Sequence, residues 1–378
     1  LRTAVPLGGF PWGQLAQSQR GALWLLAIAG IGGSWLVAFL LAAVNALAAE
    51  AWEAGRRRAW RTAAIGVAIA VLLVGLAALA PSTRSPADEA TPRVAIVQGN
   101  VPRDFEGDLY QKELQIIASH RKLTEALEPG SVDLVVWPES AVGIDLEEEE
   151  RAGRAVASAA RSVDAPMIVG GNLDVGVDRY KVMAFHVSAE GAIVDRYQKT
   201  HLVPFGEYVP ARSALDWLPM LDQVPRDAIP ADAETIFDIA GIPVAPIISF
   251  EGDFGSLARR RIDAGGRLLV VATNTSTWEE SWASAQHVAF SQVRAAENGV
   301  WVVHAALSGI SAFIAPDGRI VESTPLWEAT SAVREVGVAA SPTFYARTGD
   351  WLPLVCLGTA IVLAGWSLVR RRREMSTG

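Results

Sequence analysis

Polar side chains that could do acid, base or nucleophilic chemistry stand at the ends of three strongly apolar runs. Glu139 closes VDLVVWPES, Lys199 lies in DRYQKTHLVPFGEYVP, and Ser249 and Glu251 close IPVAPIISFE. In α/β folds, apolar runs of strand length that end in this way bring reactive groups to one edge of a sheet. The pattern therefore predicts a catalytic domain.

Glu139 follows Trp137 and Pro138, and the proline is expected to end the strand because it removes a backbone donor. The carboxylate would then lie at the edge of the sheet. Beside the apolar Trp137 it would hold a proton more tightly than usual, which suits general base and acid work. A helix cap or a solvated loop carboxylate is the alternative.

Lys199 precedes a loop that Pro204, Gly206 and Pro210 make irregular. A lysine in this position could stabilise an oxyanion as a point charge, and Glu207 on the same loop could keep it charged. Taken singly, the segment favours an ordinary surface lysine.

Ser249 closes a strand directly before a helical segment. A nucleophile projects at such a position, and the amides that follow can bind a developing negative charge. Its neighbour Glu251 could help to polarise the site. The alternative is a serine that ends the strand and caps the next helix.

The elements that must position these residues alternate between strand and helix. Helical stretches are expected near 108–127, 147–162, 254–264 and 282–298, and an Asp317-Gly318 turn predicts a final hairpin. The strands are nearly continuous in Val, Ile and Leu, which indicates a sheet covered on both faces and a layered α/β domain. The expected strands are RVAIVQGN, VDLVVWPE, PMIVGGN, KVMAFHVS, AIVDRYQK, VAPIIS, LLVVATN and WVVHAA.

Three apolar segments are long enough to cross a membrane. Residues 22–49 and 62–80 contain no charged side chain, and residues 351–369 have the same character. Each could cross a hydrocarbon core of about 30 Å at about 1.5 Å per residue. Because the chain does not begin with methionine, we expect an N-terminally truncated membrane region. The predicted units are the membrane region 1–80, a linker at 81–92, a catalytic domain at 93–345, and a C-terminal span with its tail at 346–378.

Two arginine clusters predict the orientation of the spans. One lies between the first two spans, at residues 56–58 and 61, and the other follows the last span, at residues 370–373. The positive-inside rule places both clusters in the cytoplasm. The catalytic domain between them is therefore expected on the outer side of the membrane.

The composition narrows the class of protein. With 51% hydrophobic residues and 13 Trp in 378 residues, the chain is too apolar for a wholly soluble protein. A formal net charge of -8 argues against nucleic acid as a partner. The single cysteine, Cys356, excludes an internal disulfide and a cysteine zinc site, and the five histidines lack metal-ligand spacing. We therefore expect neither a metal nor a cofactor.

Some histidines and tryptophans have two interpretations each. His201 and His287 are interpreted as hydrogen-bonding residues of a loop or helix rather than as catalytic bases. Trp278 and Trp282 could line an acyl-binding cleft, or they could be ordinary packing or interfacial residues.

Together these segments resemble the nitrilase superfamily, which has a Glu-Lys-Cys triad on an αββα sandwich. They resemble the apolipoprotein N-acyltransferase family, bacterial membrane enzymes of lipoprotein maturation, more closely. The resemblance implies a nitrilase-like αββα sandwich inserted between transmembrane α-helices. The segments that carry it are GFPWGQLAQSQ, VAIVQGNVP, WPES, KTHLVPFGEYVP, SFE, SQVRAAENGVWVVHAALSGISAFIAPDG and YARTGDW.

The resemblance also implies roles for individual residues. Glu139 corresponds to the general base and Lys199 to the oxyanion-stabilising lysine, while Glu207 and Glu251 correspond to supporting carboxylates. In the family, a cysteine attacks a phospholipid acyl ester and forms a thioester. The acyl group then passes to the amine of the lipid-modified N-terminal cysteine of an apolipoprotein.

The chain departs from the family at the nucleophile, where Cys-Tyr/Phe-Glu is replaced by Ser249-Phe250-Glu251. A thiol ionises readily, whereas a hydroxyl must lose its proton during the attack itself, so a serine should react more slowly. A deliberately replaced nucleophile, a natural serine variant and a member that has lost catalysis are all compatible with this sequence.

The leading hypothesis is a ping-pong N-acyltransferase of the bacterial cytoplasmic membrane, multi-pass, with its catalytic domain on the extracytoplasmic side. Its partners would be a phospholipid acyl donor, a diacylglyceryl apolipoprotein acceptor and the lipid bilayer. Its catalytic residues would be Glu139, Lys199 and Ser249. A catalytically silent lipid or lipoprotein binder and a membrane-tethered nitrilase-like amidase are the alternatives.

Overall fold

The computed structural model of the chain describes residues 9–79, 90–215 and 217–376, with side chains described through Arg370. Most of the predicted linker at 81–92, and the side chains of the arginines at 371–373, lie outside the described residues. The strands are β1 Arg93–Gln98, β2 Leu134–Asp145, β3 Met167–Val175, β4 Arg179–Val187, β5 Ile193–Gln198, β6 Asp227–Ala228, β7 Phe237–Ile239, β8 Ile242–Ile248, β9 Leu268–Thr273, β10 Trp301–Ala306, β11 Ala312–Ile314, β12 Ile320–Ser323 and β13 Thr330–Glu335.

The helices flank these strands in sequence and supply both the outer layers and the apolar segments at the two ends of the chain. They are α1 Leu15–Ser18, α2 Leu23–Leu26, α3 Ala29–Arg56, α4 Trp60–Ala78, α5 Leu109–Glu125, α6 Glu150–Val163, α7 Arg212–Leu215, α8 Gly255–Asp263, α9 Ala283–Asn298, α10 Phe344–Thr348 and α11 Trp351–Ser376. Short 3-10 turns occur at Pro219–Gln223, Ser249–Asp253 and Ser276–Trp278.

The strands form two mixed sheets of similar design. The first sheet has the order β13-β1-β2-β3-β4-β5, with β6 paired to β4, and the second has the order β12-β11-β10-β9-β8-β7. Each contains a parallel centre, β1-β2-β3 in the first and β8-β9-β10 in the second, extended by antiparallel strands. Parallel neighbours are joined through helices, so both sheets carry a helical layer.

Side chains alternate between the two faces of each strand, and this alternation builds three layers of core. In β1, Ile96 belongs to the core between the sheets, together with Val270 of β9 and Phe313 of β11. Its neighbours on the other face pack under α5 and α6. The second sheet packs in the same way under α8 and α9. The order helix, sheet, sheet, helix is the αββα sandwich.

The predicted strands and helices of the domain are present, but three short strands were missed. β6 and β7 are only two and three residues long, and β13 has few apolar residues and is half-exposed. β13 nevertheless pairs along its whole length with β1. The neighbouring strand, not the local pattern, specifies its conformation.

Pro138 does not end β2, which corrects the prediction made from the sequence. The strand continues to Asp145, but its pairing with β3 is interrupted between Trp137 and Val142. The missing donor at Pro138 thus produces an irregularity inside the strand rather than its end.

Three helices are long and apolar enough to span a membrane, as predicted: Ala29–Arg56, Trp60–Ala78 and Trp351–Arg370. The first begins later than expected, because residues 22–28 form α2 and a turn. It is also kinked at Gly32 and Gly33, where the backbone leaves the helical region. Gly33 has φ +66, and a Cβ there would lie 2.5 Å from the Tyr345 ring.

Candidate active site

The irregular segment of β2 carries Glu139 into the space between the two sheets. Ser140 has a positive φ of 59, and the backbone around Pro138 passes so close to Gly170 of β3 that a Cβ there would lie 2.2 Å from the Pro138 carbonyl oxygen. Glu139 is 6% exposed, and its Oε2 accepts a 2.8 Å hydrogen bond from the amide of Asn274, just after β9. The carboxylate therefore links the first sheet to the end of the second.

Lys199 follows β5 and lies at the centre of a buried charge cluster. Its Nζ lies 3.0 Å from Glu139 Oε1 and 2.5 Å from Glu207 Oε1, and the residue is 1% exposed. Burial disfavours the charged lysine, but the two carboxylates outweigh it and raise the pKa of Lys199 above its usual value. The ammonium group is therefore held charged and oriented.

Glu207 is fixed by the folded loop that follows Lys199. Its Oε2 accepts a 2.7 Å hydrogen bond from the amide of Val203, and Phe205 at the loop tip has φ 61. Burial raises the pKa of Glu207, while the Lys199 charge acts in the opposite direction. Glu207 lies next to Lys199, as its position on the loop predicted.

Ser249 lies at the sharp turn where β8 ends and the 3-10 turn Ser249–Asp253 begins. Its φ of 49 is unusual for a residue other than glycine, and it directs a 9% exposed side chain out of the sheet edge. The Thr273 hydroxyl at the end of β9 donates a 3.0 Å hydrogen bond to Ser249 Oγ.

Glu251 anchors the two sheet edges to each other rather than facing Ser249. It accepts hydrogen bonds of 2.7–3.1 Å from the Tyr197 hydroxyl, from Thr200, and from the amides of His201 and Ile248. These bonds join the loop after Lys199 to the turn that carries Ser249. Glu251 follows Ser249 by two residues in the sequence, which suggested that it polarises the nucleophile position. In the structure, however, its hydrogen bonds are made to the lysine loop, Tyr197 and the end of β8, and none of the described bonds is made to the Ser249 side chain.

One cavity of about 570 Å³ unites these groups: Glu139, Lys199, Glu207 and Ser249 all line it. Much of the remaining wall is apolar and aromatic, contributed by Phe10, Trp12, Tyr180, Val182, Val203, Phe250 and Trp278. An apolar chamber with a carboxylate, an ammonium group and a hydroxyl at its base suits the transfer of a long acyl group.

Sequence reasoning missed two polar residues of the site, Thr273 and Asp253, and gave a third, His287, only a hydrogen-bonding role. Thr273, His287 and Asp253 are fully buried beside Ser249, and the last two line the cavity. His287 had been interpreted as a hydrogen-bonding helix residue, and it does contact both Thr273 and Asp253. The one sequence feature that could have indicated this polar group is that Asp253 follows Ser249 by only four residues.

Among the described residues, no cluster of three or more histidine, cysteine or carboxylate side chains has a geometry that could hold a metal ion. The single cysteine, Cys356, lies exposed on α11, far along the chain from the turn that carries Ser249. The polar chemistry of the site therefore comes from the carboxylates, the lysine, the hydroxyls and the imidazole already described.

The class of protein follows from one family model and from the fold. The carbon-nitrogen hydrolase family model matches residues 93–340. A variant of the amidase from Nesterenkonia AN1, of the nitrilase superfamily, superposes with a TM-score of 0.52 at 17% identity, covering 70% of this chain and 95% of that chain. The catalytic sandwich thus has the nitrilase fold, and the predicted fold class is confirmed.

More similar relatives specify the family within that class. The family model of the apolipoprotein N-acyltransferase N-terminal domain matches residues 1–47. The apolipoprotein N-acyltransferase of Geobacter metallireducens is 31% identical over 369 residues, covering 96% of this chain and 71% of the relative. The apolipoprotein N-acyltransferase of Azotobacter vinelandii is 34% identical over 376 residues, covering 97% of this chain and 70% of the relative. The chain belongs to the apolipoprotein N-acyltransferase family, a family of membrane-bound acyltransferases, and the resemblance in its sequence is confirmed.

Proposed function

We propose that the chain transfers an acyl group from a phospholipid to the N-terminal amine of a diacylglyceryl-modified apolipoprotein, through an acyl-enzyme at Ser249. One observation carries the proposal: Glu139, Lys199 and Ser249, from three separate strand ends, line one apolar cavity. A cavity of about 570 Å³ accommodates a chain of lipid size.

In the first half-reaction, Ser249 Oγ attacks the carbonyl carbon of the phospholipid ester. The negative charge that develops on the carbonyl oxygen is stabilised by Lys199, which its two carboxylate partners keep charged. Collapse of the tetrahedral intermediate forms the Ser249 ester and releases a lysophospholipid, whose glycerol oxygen takes up the proton that Ser249 loses.

In the second half-reaction, the apolipoprotein amine attacks the Ser249 ester. Glu139 accepts a proton from this amine as general base, the amide bond forms as the ester bond breaks, and the proton passes to the Ser249 oxygen. Glu207 keeps Lys199 charged, and Glu251 holds the lysine loop against the serine turn. Phe250 contributes to the apolar wall, packing on Phe254 at a ring-centroid distance of 5.0 Å.

The contacts between the spans and the sandwich support an extracytoplasmic domain at about 93–345 in the bacterial cytoplasmic membrane. The Ser34 amide near the start of α3 donates to Glu297, and the Trp351 indole at the start of α11 donates to Ile31. The sandwich therefore adjoins the starts of both helices. Their arginine-rich ends lie at the opposite side, which the positive-inside rule assigns to the cytoplasm.

The test is transfer from a phospholipid with a radiolabelled acyl chain, in detergent micelles, using the present form, Ser249→Cys and Ser249→Ala. We expect a stable labelled protein in the first two and none in Ser249→Ala. The Cys form should label about 100-fold faster, since proton removal from a hydroxyl depends on base catalysis that contributes roughly 10²–10⁴-fold. Neutral hydroxylamine should release label from the Cys form only, because it cleaves thioesters in preference to oxygen esters.

A diacylglyceryl peptide with a free N-terminal amine should then remove the label and become acylated. If neither the Ser nor the Cys form labels, the acyltransferase proposal is wrong for this chain. If only the Cys form labels, the present chain is a silent lipid binder on an acyltransferase scaffold. Release of ammonia from simple amides without peptide acylation would favour the amidase.

A further inference from the structure

The Ser249 hydroxyl is the first member of a chain of buried polar groups that the acyl-transfer scheme leaves unused. Thr273 Oγ1 lies 3.0 Å from Ser249 Oγ and 3.4 Å from His287 Nδ1. On the far side of the imidazole ring, His287 Nε2 lies 3.2 Å from Asp253 Oδ1. Asp253 ends the same 3-10 turn that Ser249 begins, so the chain closes on itself.

All the supporting members are inaccessible to solvent. Thr273 and Asp253 are 0% exposed and His287 is 1% exposed. Burial raises the pKa of Asp253, while nearby His287 and Arg294 act in the opposite direction. The Asp253 carboxylate oxygens make no hydrogen bond among the described residues, and Oδ1 lies 3.2 Å from Nε2, so this buried carboxylate favours the imidazole tautomer with its proton on Nε2. Nδ1 can then accept a proton from the Thr273 side.

Among the described residues, no hydrogen bond joins Glu139 to Ser249. One oxygen of Glu139 accepts from Lys199 and the other from the Asn274 amide. Among the hydrogen bonds of the described residues, the bond made by the Ser249 side chain is the one with Thr273. The geometry thus connects the nucleophile position to an imidazole rather than to the carboxylate of the family triad.

We propose that Thr273, His287 and Asp253 form a proton-transfer chain that activates Ser249, which lets a hydroxyl replace a thiol in this site. Thr273 contacts the Ser249 nucleophile directly, whereas His287 and Asp253 act on the nucleophile only through Thr273. The inference deepens the acyltransferase proposal and rests on it.

The Thr273 hydroxyl, which donates to Ser249 Oγ in the structure, first rotates to donate to His287 Nδ1, so that Ser249 donates to Thr273. Ser249 Oγ then forms a bond to the acyl carbon while its proton passes to Thr273 Oγ1, and the original Thr273 proton passes to His287 Nδ1. Asp253 stabilises the resulting imidazolium. When the ester bond to glycerol breaks, the departing alkoxide takes one proton, returned from His287 through Thr273. No oxidant, metal or external base is required.

The chain offers a matched pair of variants at Thr273. Thr273→Val keeps the shape and deletes the hydroxyl, whereas Thr273→Ser keeps the hydroxyl and deletes a methyl group. The probe is p-nitrophenyl octanoate in detergent micelles, whose leaving group needs no protonation, so the burst of p-nitrophenolate reports attack by residue 249. Ser249→Ala gives the background.

We expect Thr273→Val to slow the burst about 100-fold, and Thr273→Ser to slow it less than about fivefold, in line with general base catalysis worth roughly 10²–10⁴-fold. His287→Gln should resemble Thr273→Val. In a Ser249→Cys background the difference between Val and Ser at position 273 should shrink at least tenfold, because a thiol ionises without the chain.

Equal bursts from Thr273→Val and Thr273→Ser would overturn the inference, as would an equal Val-to-Ser ratio in the Cys background, which indicates packing alone. No burst above Ser249→Ala in the present form, with a burst from Ser249→Cys, also overturns it, and the acyltransferase proposal then stands only if the labelled phospholipid still acylates the present form. If the Cys form too fails with both this probe and the labelled phospholipid, both proposals fall.

Discussion

The two halves of the candidate site come from different sheets and hold their polar groups in different ways. The first sheet supplies a cluster of formal charges, in which Lys199 lies within 3.0 Å of two carboxylates. The second supplies hydroxyls and an imidazole, with Ser249 presented by a turn of positive φ and bonded to Thr273.

This difference separates two ways of preparing a site for chemistry. Buried charges hold one another, so the loss of one partner leaves the others without compensation. Hydroxyls at strand ends are positioned by the backbone, and their loss leaves no buried charge. Variants of the first half should therefore cost stability as well as activity, whereas variants of the two hydroxyls of the second half should mainly cost rate.

The strongest test of this contrast is Lys199→Met. The substitution leaves Glu139 and Glu207 buried without their cation, and breaking one partner of a buried ion pair costs about 3–5 kcal/mol. We expect a lower free energy of unfolding for the sandwich, measured by tryptophan fluorescence in detergent, together with loss of acyl-enzyme formation.

Lys122→Met, on the exposed surface of α5, is the control and should stay within about 0.5 kcal/mol of the parent. Adding Glu207→Gln to Lys199→Met removes one uncompensated charge and should recover part of the stability but none of the activity. If Lys199→Met is as stable as Lys122→Met, the two halves do not differ as described.

The pH dependence of stability gives a second test of the comparison, because a fully buried histidine lies behind each half. Behind the first, His120 accepts from the Gly99 amide through Nε2 (3.0 Å), and its Nδ1 lies 2.8 Å from the Ile116 carbonyl oxygen, so its neutral form fits. Burial lowers the pKa of His120 to about 4, and burial lowers the pKa of His304, behind the second half, well below its usual value.

Below pH 6.5 the unfolded chain binds a proton that folded His120 refuses until about pH 4, so stability falls as the pH falls through this window. The loss from His120 should reach about 3 kcal/mol at pH 4. His120→Gln should flatten this decline, and His304→Gln should flatten the remainder. Parallel pH curves for the parent and His120→Gln would contradict the assignment.

The sequence predicts those features of the molecule that are specified by patterns of a few neighbouring residues. The apolar runs predicted the central strands, and their polar ends predicted that Glu139, Lys199 and Ser249 come together, as they do in one cavity. Strand periodicity and turn chemistry act over a few residues, so they can be recognised without knowing the fold.

Features specified by contacts between distant segments escaped prediction. The bulge in β2 requires Gly170 of a neighbouring strand, and the kink in α3 brings Gly33 so close to the Tyr345 ring that a side chain there would not fit. Likewise, Thr273 and His287 show no spacing that joins them to Ser249, since the bond between them forms only when the ends of β8 and β9 lie side by side.

The smallest expected effect comes from Gly170→Ala, which tests whether the first half depends on its backbone as well as its charges. The added Cβ would lie 2.2 Å from the Pro138 carbonyl oxygen and 2.7 Å from the Glu139 Cα, both backbone atoms. Such overpacking costs about 1–3 kcal/mol and should move Glu139 away from Lys199, lowering the rate of acyl transfer to the peptide.

Gly153→Ala in α6 is the matched control, since its nearest neighbour is an ordinary 3.5 Å contact with Leu146 O, and a helical alanine should be neutral or add about 0.5–1 kcal/mol. If both variants transfer the acyl group at the parental rate, the ion pair with Lys199 alone positions Glu139. The two halves would then differ more than the close backbone contact at Gly170 indicates.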